Sequence, residues 1–218
     1  MNELERVLAR RLGAQRVVVC GLSFSRALEA LALPSQARLV KPLSSVPVTC
    51  PDLRALGRAA HDEGWTLVVD NSLPTWAGCA AVRLGATLSV EPLDADVTLV
   101  GFADAASELA AGLSPVDEER AAVLLASLDG REASWRQASD TAQVVASYLA
   151  CHPRVSELRY PGLKADMSFE VAARTLTGGF GPRVSYRLLG EKDWRSLEAS
   201  PVDDPRELIM RLEAGLCR

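Results

Sequence analysis

The sequence predicts an α/β protein in which a first part, built on a mainly parallel sheet covered by helices, precedes a smaller α+β part. Between residues 3 and 101, short apolar or β-branched runs alternate with amphipathic stretches, which is typical of a parallel sheet. Residues 183–188 alternate apolar and polar side chains, which is typical of a half-buried antiparallel strand. We therefore predict two parts, residues 1–115 and residues 116–218.

The chain is predicted to begin with a helix, a strand and a second helix. Residues 3–12 place three leucines on one helical stripe, and Gly13 supplies a stop. Residues 16–20 form a β-branched run that predicts a strand. The next helix opens in the stretch Gly-Leu-Ser-Phe-Ser, for which we expect Ser25 to be the N-cap.

The rest of the first part is predicted to add four strands and one helix. Three prolines interrupt the chain after residue 41, so that stretch is expected to be irregular. The helix over residues 52–63 has one apolar face and ends at Gly64. The predicted strands are residues 38–41, 66–70, 87–90 and 97–101.

The second part is predicted from two helices, an alternating strand and a capped closing helix. The helices are expected over residues 117–128 and 138–151, and the strand over residues 183–188. In the closing helix, Asp204 is a suitable N-cap and Pro205 suits the first turn.

Composition limits the classes of function. Hydrophobic residues make up 48% and charged residues 24%, as in ordinary globular proteins. The net charge of −4 gives no basic excess for displacing counterions, so we expect no nucleic-acid partner. No apolar run approaches ~20 residues and no signal peptide is recognisable, so we expect no membrane association and a cytoplasmic location.

The cysteines give no sign of a disulfide framework or a zinc site. Their number is odd, their spacings are wide, and no Cys-x-x-Cys pair occurs. We expect no metal, and core packing for Cys20 and Cys79. The five are Cys20, Cys50, Cys79, Cys151 and Cys217.

Several motifs occur in a familiar order. The apolar run of residues 66–69 ends in Asp70-Asn71-Ser72, and Leu84-Gly85-Ala86 follows. Tyr160-Pro161-Gly162-Leu163 and a Gly-Phe-Gly stretch ending at Gly181 come later. In this order they resemble the Cys/Met-metabolism family of pyridoxal phosphate (PLP)-dependent enzymes, the trans-sulfuration group of cystathionine synthases and lyases. The resemblance implies a type I PLP fold, here with a reduced large domain.

The resemblance also implies a cofactor site. In the family, the acid that matches Asp70 pairs with the pyridine nitrogen, so that the ring can take up electrons. The loop that matches Gly21 and Leu22 offers backbone N–H groups to the phosphate. Asp70, Gly21 and Leu22 are therefore the candidate cofactor-binding residues. The alternatives are that Asp70 only caps a turn and that Gly21-Leu22 is only a helix entry.

The family's cofactor lysine has no match. It follows Leu-Gly-Ala and a strand in the pattern Ser-x-Thr-Lys, whereas residues 87–96 contain no lysine or phosphate-binding hydroxyl at those places. We therefore expect no amine at the mouth of the site, no catalytic residue and no covalently bound PLP. The chain's lysines are Lys41, Lys164 and Lys192.

Acidic residues stand where that lysine is missing. Glu91, Asp94 and Asp96 form a cluster that either binds a cation or belongs to a solvated loop, and we expect the loop. The family's long insert with a ring-stacking aromatic is absent between Leu33 and Arg38.

Three further residues have side chains suited to a catalytic or binding site. Arg195 lies near the family's carboxylate-binding arginine but out of register. His61 and His152 are far apart in the sequence, and we expect surface or capping positions for both.

Taken together, the departures predict a degenerate relative that lacks catalysis and acts as a binding or interaction protein. The alternative is a PLP-dependent enzyme of sulfur amino-acid metabolism. Such a carbon–sulfur lyase or transferase would use a partner's lysine or a non-covalent cofactor. We expect a homodimer, or a hetero-oligomer with an intact relative.

Overall fold

The computed structural model describes residues 2–216, so that Cys217 lies outside the described part of the chain. Two compact units emerge: Met1–Pro42 with Asp52–Gly130, and Leu43–Pro51 with Arg131–Arg218. The first unit thus continues past the predicted division at residue 115. The proline-rich segment near residue 45, assigned by sequence to the first part, belongs to the second unit.

Hydrogen bonds explain why Leu43–Pro51 belongs to the second unit. The Val48 N–H donates to Ser185 Oγ at 3.0 Å, and the Cys50 N–H donates to Ser168 Oγ at 3.2 Å. Leu43 is also buried. A proline-interrupted segment cannot satisfy its own backbone groups in a helix or strand, so side chains of the second unit satisfy them instead.

The first unit contains five strands and five α-helices among the described residues. Its helices are α1 (Glu3–Leu12), α2 (Phe24–Ala30), α3 (Leu53–Glu63), α4 (Thr75–Gly78) and α5 (Glu118–Ala126). Its strands are β1 (Arg16–Cys20), β2 (Ala37–Val40), β3 (Thr66–Asp70), β4 (Leu88–Asp94) and β5 (Val97–Phe102).

The five strands form one sheet in the order β1-β5-β4-β3-β2. Strands β2, β3 and β4 are parallel, and β5 is antiparallel to both of its neighbours. All strands except β5 therefore run in the same direction, which confirms the mainly parallel sheet. The carboxyl ends of β1, β2, β3 and β4 lie along one edge of the sheet, where ligands bind in open α/β folds.

Capping residues explain where the helices begin and end. Asn2 and Glu5 form a reciprocal capping box at the start of α1, and Gly13 ends it with φ 70°. Asp52 caps α3, which ends at Gly64. The prediction that Ser25 caps α2 was wrong: the N-cap is Ser23, and Ser25 lies inside the helix.

The second unit is the α+β part that the sequence predicts. Its antiparallel sheet has the order β6-β7-β8. Helix α6 begins earlier than predicted, because Trp135 is buried and its Nε1–H donates to the Thr177 carbonyl. The elements are α6 (Arg131–Ala150), β6 (Val155–Arg159), α7 (Phe169–Thr175), β7 (Arg183–Leu188), β8 (Arg195–Glu198) and α8 (Pro205–Leu216).

Each unit has its own apolar core. In the first, Val18, Leu88 and Phe102 pack on one side of the sheet. In the second, Leu149, Tyr160 and residues of α8 pack together. Across residues 2–216, no helix combines the length and the apolarity that crossing a bilayer requires.

Candidate functional site

Asp70 lies at the carboxyl end of β3 with its carboxylate largely buried. Its Oδ1 accepts hydrogen bonds from the Ser72 N–H at 3.1 Å and from the Ser72 hydroxyl at 2.5 Å. Its Oδ2 lies 3.4 Å from the Lys41 Nζ. The contacts with Ser72 are those of an Asx turn. Asp70 therefore caps the turn after β3, as one of the two interpretations from sequence requires.

Strand pairing brings Lys41 to Asp70. Strands β2 and β3 are parallel with Val40 beside Val69, so the next residues of each strand are also neighbours and share a face. The Lys41 side chain is 52% exposed and the Asp70 side chain 8% exposed. The expectation that no amine lies at the mouth of the site was therefore wrong, because it rested on sequence order rather than on which strands are adjacent.

Asn71 and Glu91 form a buried polar contact beside Asp70. The Asn71 Nδ2 donates to Glu91 Oε2 at 2.7 Å and to the Cys79 carbonyl at 3.0 Å. Both side chains are fully buried. The expectation of a solvated loop was thus wrong for Glu91, which lies within β4. The available signal was an acid directly after the predicted strand of residues 87–90.

The connection between β4 and β5 is a two-residue turn, Ala95-Asp96. Asp94, the last residue of β4, and Asp96, in the turn, are both exposed. The Arg120 guanidinium lies 3.4 Å and 3.2 Å from their carboxylates. The solvated turn expected for these two acids is confirmed. A turn this short carries no lysine and leaves no loop that could present one.

Gly21 and Leu22 follow β1 and lead into α2. The Leu22 carbonyl accepts a hydrogen bond from Thr98 Oγ1 at 2.8 Å. A Cβ atom on Gly21 would meet nothing within 4 Å, so close packing does not require glycine there. The two residues border an open cavity of about 530 Å³ that Asp117 and Arg120 also line. Helix α2 has only seven residues, so its dipole adds little to anion binding.

The buried cysteines of this unit serve packing. Cys20 and Cys79 are both fully enclosed, and Cys20 Sγ lies 3.5 Å from the Thr98 carbonyl. Burial raises the pKa of the Cys20 thiol above its usual value of 9.0, which disfavours a reactive thiolate.

Sequence and structure comparisons place this arrangement among known proteins. The sequence profile of the Cys/Met metabolism PLP-dependent enzymes matches residues 110–205. O-succinylhomoserine sulfhydrylase of Mycobacterium tuberculosis (strain ATCC 25618 / H37Rv) is 28% identical over 213 residues, which cover 91% of this chain and 52% of that protein. Cystathionine gamma-synthase 1, chloroplastic, of Arabidopsis thaliana is 28% identical over 157 residues, which cover 65% of this chain and 27% of that protein.

Solved structures agree on the fold. Cystathionine gamma synthase from Xanthomonas oryzae pv. oryzae, in complex with cystathionine, superposes with a TM-score of 0.80 at 19% identity, covering 98% of this chain and 84% of that one. Apo CalE6, a methionine gamma lyase from Micromonospora echinospora, gives a TM-score of 0.78 at 19% identity, covering 98% and 85% of the two chains. The profile match and these relatives show a similarity to the Cys/Met metabolism family of PLP-dependent enzymes, and the solved structures show the same fold.

These matches confirm the resemblance drawn from the motifs, and the superpositions confirm the fold class. The chain spans about half the length of the M. tuberculosis relative, 52%. The family implies PLP as cofactor, and the residues at the sheet edge can be tested for their fit to it.

The described residues do not fit a PLP molecule held as the family resemblance implies. The carboxylate of Asp70 already has a cation, Lys41, at 3.4 Å. The β4–β5 turn has acids in place of the lysine. Beside Gly21 and Leu22, the cavity is lined by Asp117 and Arg120. Arg120 is already paired with Asp94 and Asp96, so its charge is offset, and the carboxylates disfavour a phosphate. The cofactor roles of Asp70, Gly21 and Leu22 therefore stay predictions.

Two of the three remaining candidate residues, Arg195 and His152, have partners within the chain. The Arg195 guanidinium makes a bidentate ion pair with Glu191 at 2.9 Å and 2.6 Å, and this hydrogen bonding raises the pKa of Arg195. His152 Nε2 lies 3.1 Å from Glu213, and its Nδ1 accepts the Arg154 N–H. His61 is exposed in the last turn of α3. The expected capping and surface positions of the two histidines are confirmed.

The motifs of the second unit meet around Tyr160. Tyr160 is fully buried, and its hydroxyl lies within hydrogen-bonding distance of two carbonyl oxygens. These belong to Ser139, at 3.0 Å, and Gly181, at 3.1 Å. Ser139 Oγ in turn accepts the Gly181 N–H at 3.1 Å. Burial, with a smaller contribution from Asp140, raises the pKa of Tyr160. The Tyr-Pro-Gly-Leu and Gly-Phe-Gly motifs therefore serve packing here.

Proposed function

We propose that this chain is a non-catalytic member of the Cys/Met metabolism family that acts as a binding or interaction protein. The observation that carries the proposal is the two-residue β4–β5 turn, which stands where the family presents its cofactor lysine. Without an amine at that turn, the first covalent step of PLP chemistry lacks the nucleophile and base that the family places there. The amine that does lie near Asp70, that of Lys41, is held in an ion pair with the acid.

The charges around the same edge support the proposal. Asp94 and Asp96 project from the turn and hold Arg120 between them. Asp117 lines the cavity beside Gly21 and Leu22. A phosphate gains most of its affinity from positively charged and N–H donors, and these carboxylates oppose it.

The test is reconstitution of the purified chain with PLP, followed by borohydride reduction and intact mass measurement. We expect only scattered, substoichiometric labelling of Lys41, Lys164 and Lys192. Variants in which each lysine in turn is replaced by arginine serve as matched controls. A single stoichiometric adduct on one lysine contradicts the proposal.

A second candidate function is a carbon–sulfur lyase or transferase that binds PLP non-covalently or receives a lysine from a partner chain. It is supported by the relatives, which are named as a sulfhydrylase and a synthase. Turnover of a cystathionine-like amino acid by the purified chain, alone or with a co-expressed relative, would favour this candidate over the first.

We further propose that the chain is a homodimer, or pairs with an intact relative, and is cytoplasmic. Light scattering at micromolar concentration tests the assembly. A monomeric mass, both alone and in an equimolar mixture with a full-length family member, contradicts it.

A further inference from the structure

The ion pair between Lys41 and Asp70 lies where the family resemblance assigns the ring nitrogen of PLP. We infer that Lys41 replaces that nitrogen with an ammonium supplied by the chain itself, so that Lys41 determines whether a protonated pyridine ring can bind at Asp70. This inference deepens the proposed function and rests on it. Its motivating observation is the 3.4 Å separation of Lys41 Nζ and Asp70 Oδ2.

The contacts of Asp70 leave Oδ2 as the oxygen that a cation competes for. Oδ1 accepts both the N–H and the hydroxyl of Ser72. Oδ2 is the atom nearest to Lys41 Nζ. A pyridinium ring that approached Oδ2 would meet the ammonium at contact distance, and two like charges that close repel each other.

Because the Lys41 side chain is exposed, it can be replaced without disturbing the core. The Lys41 side chain is 52% exposed, whereas the Asp70 side chain is 8% exposed. Truncating Lys41 therefore removes the cation and opens the carboxylate without leaving a cavity. The hydrogen bonds from Ser72 hold Asp70 in place in either case.

The same geometry argues against Lys41 as a relocated Schiff-base lysine. An imine forms where the lysine nitrogen is directed toward the aldehyde carbon. The ion pair instead holds Lys41 Nζ against Asp70 Oδ2, at 3.4 Å.

The experiment titrates pyridoxine 5′-phosphate, which has the pyridine ring and phosphate but no aldehyde, into four proteins by calorimetry. These are the wild type, Lys41→Gln, Lys41→Arg and the control Lys164→Gln. We expect Lys41→Gln to bind about tenfold more tightly than the wild type, which equals about 1.4 kcal/mol. Lys41→Arg and Lys164→Gln should match the wild type, since a cation remains beside Asp70 in both.

Two further measurements test whether the gain in affinity depends on the ring nitrogen. The double variant Lys41→Gln/Asp70→Asn should lose the gain, and an analogue with CH in place of the ring nitrogen should show none in any variant. Far-ultraviolet circular dichroism and thermal unfolding verify that each variant is folded.

The inference is overturned if Lys41→Gln binds no better than the wild type, including the case in which neither binds measurably. It is also overturned if the CH analogue gains equally. These outcomes are separable from failure of the proposed function, which depends on a stoichiometric reduced adduct or on turnover by the wild-type chain.

Discussion

The carboxyl edge of the five-stranded sheet and the Tyr160 cluster of the second unit both contain residues that match family motifs, yet they differ in what those residues do. Around Tyr160, the matching residues form a buried hydrogen-bonded cluster with Ser139 and Gly181. At the sheet edge, Asp70 is retained, but its surroundings are a lysine, a serine and a tight acidic turn.

The difference shows that a residue can match a family motif because the fold needs it for packing, even where the residues needed for catalysis are missing. Tyr160 is useful to the fold whether or not a cofactor binds, because its ring fills the core and its single hydroxyl proton is shared between the carbonyls of Ser139 and Gly181. Asp70 is useful to the fold only through its turn with Ser72. The group that pairs with Asp70 Oδ2, here Lys41, can therefore differ without destabilising the fold.

The largest expected loss of stability is at the Tyr160 cluster. Replacing Tyr160, which is 0% exposed, by alanine should destabilise the protein by about 3–5 kcal/mol, because it leaves a large cavity and removes a buried hydrogen-bond donor. Tyr160→Phe should cost about 1–2 kcal/mol through the hydrogen bonds alone. Urea unfolding monitored by circular dichroism measures both. Equal losses for the two variants would contradict the role assigned to the ring.

At the sheet edge, the largest expected loss of stability comes from Asn71. Asn71→Ala removes the donors to the Glu91 carboxylate and the Cys79 carbonyl. Because the buried Glu91 carboxyl group loses one of its donors, we expect about 2–3 kcal/mol of destabilisation in urea unfolding. Ser72→Ala is the control, and it should cost less because Ser72 is exposed. A larger loss for Ser72→Ala would reverse the comparison.

Alkaline pH should weaken the Tyr160 cluster selectively. The pKa of Tyr160 is raised above its ordinary value of 10.0 by burial, so the folded state keeps the proton that the unfolded chain releases. Stability is therefore fully present below pH 10 and falls above it by about 1.4 kcal/mol per pH unit. Across the whole interval from pH 9 to pH 11, urea unfolding should show a loss of about 1.4 kcal/mol, most of it above pH 10. Tyr160→Phe should show a smaller loss.

The smallest expected effect on stability is at Lys41. Because its side chain is 52% exposed, Lys41→Gln should change the free energy of unfolding by about 0–1 kcal/mol. The same variant is expected to change ligand binding, as described above. A loss of stability as large as that of Asn71→Ala would instead make Lys41 a structural residue and weaken the contrast between the two regions.

Local patterns explain which parts of the fold were predictable. Helix α1 and strand β3 have the bounds that the sequence predicts, since a leucine stripe with Gly13 and a β-branched run are decided within a few residues. The alternation of residues 183–188 likewise predicts β7. The motif order around Asp70 and Tyr160 was enough to recognise the family.

The sequence by itself determined the periodicity of helices and strands, the ends of α1 and the family resemblance. Each of these depends on residues within a few positions of one another or on the order of motifs. Tertiary structure alone decided that Lys41 lies beside Asp70 and that Glu91 is buried against Asn71. It also decided that β5 runs opposite to its neighbours. These depend on which strands become adjacent, and long-range packing of the whole sheet makes that choice.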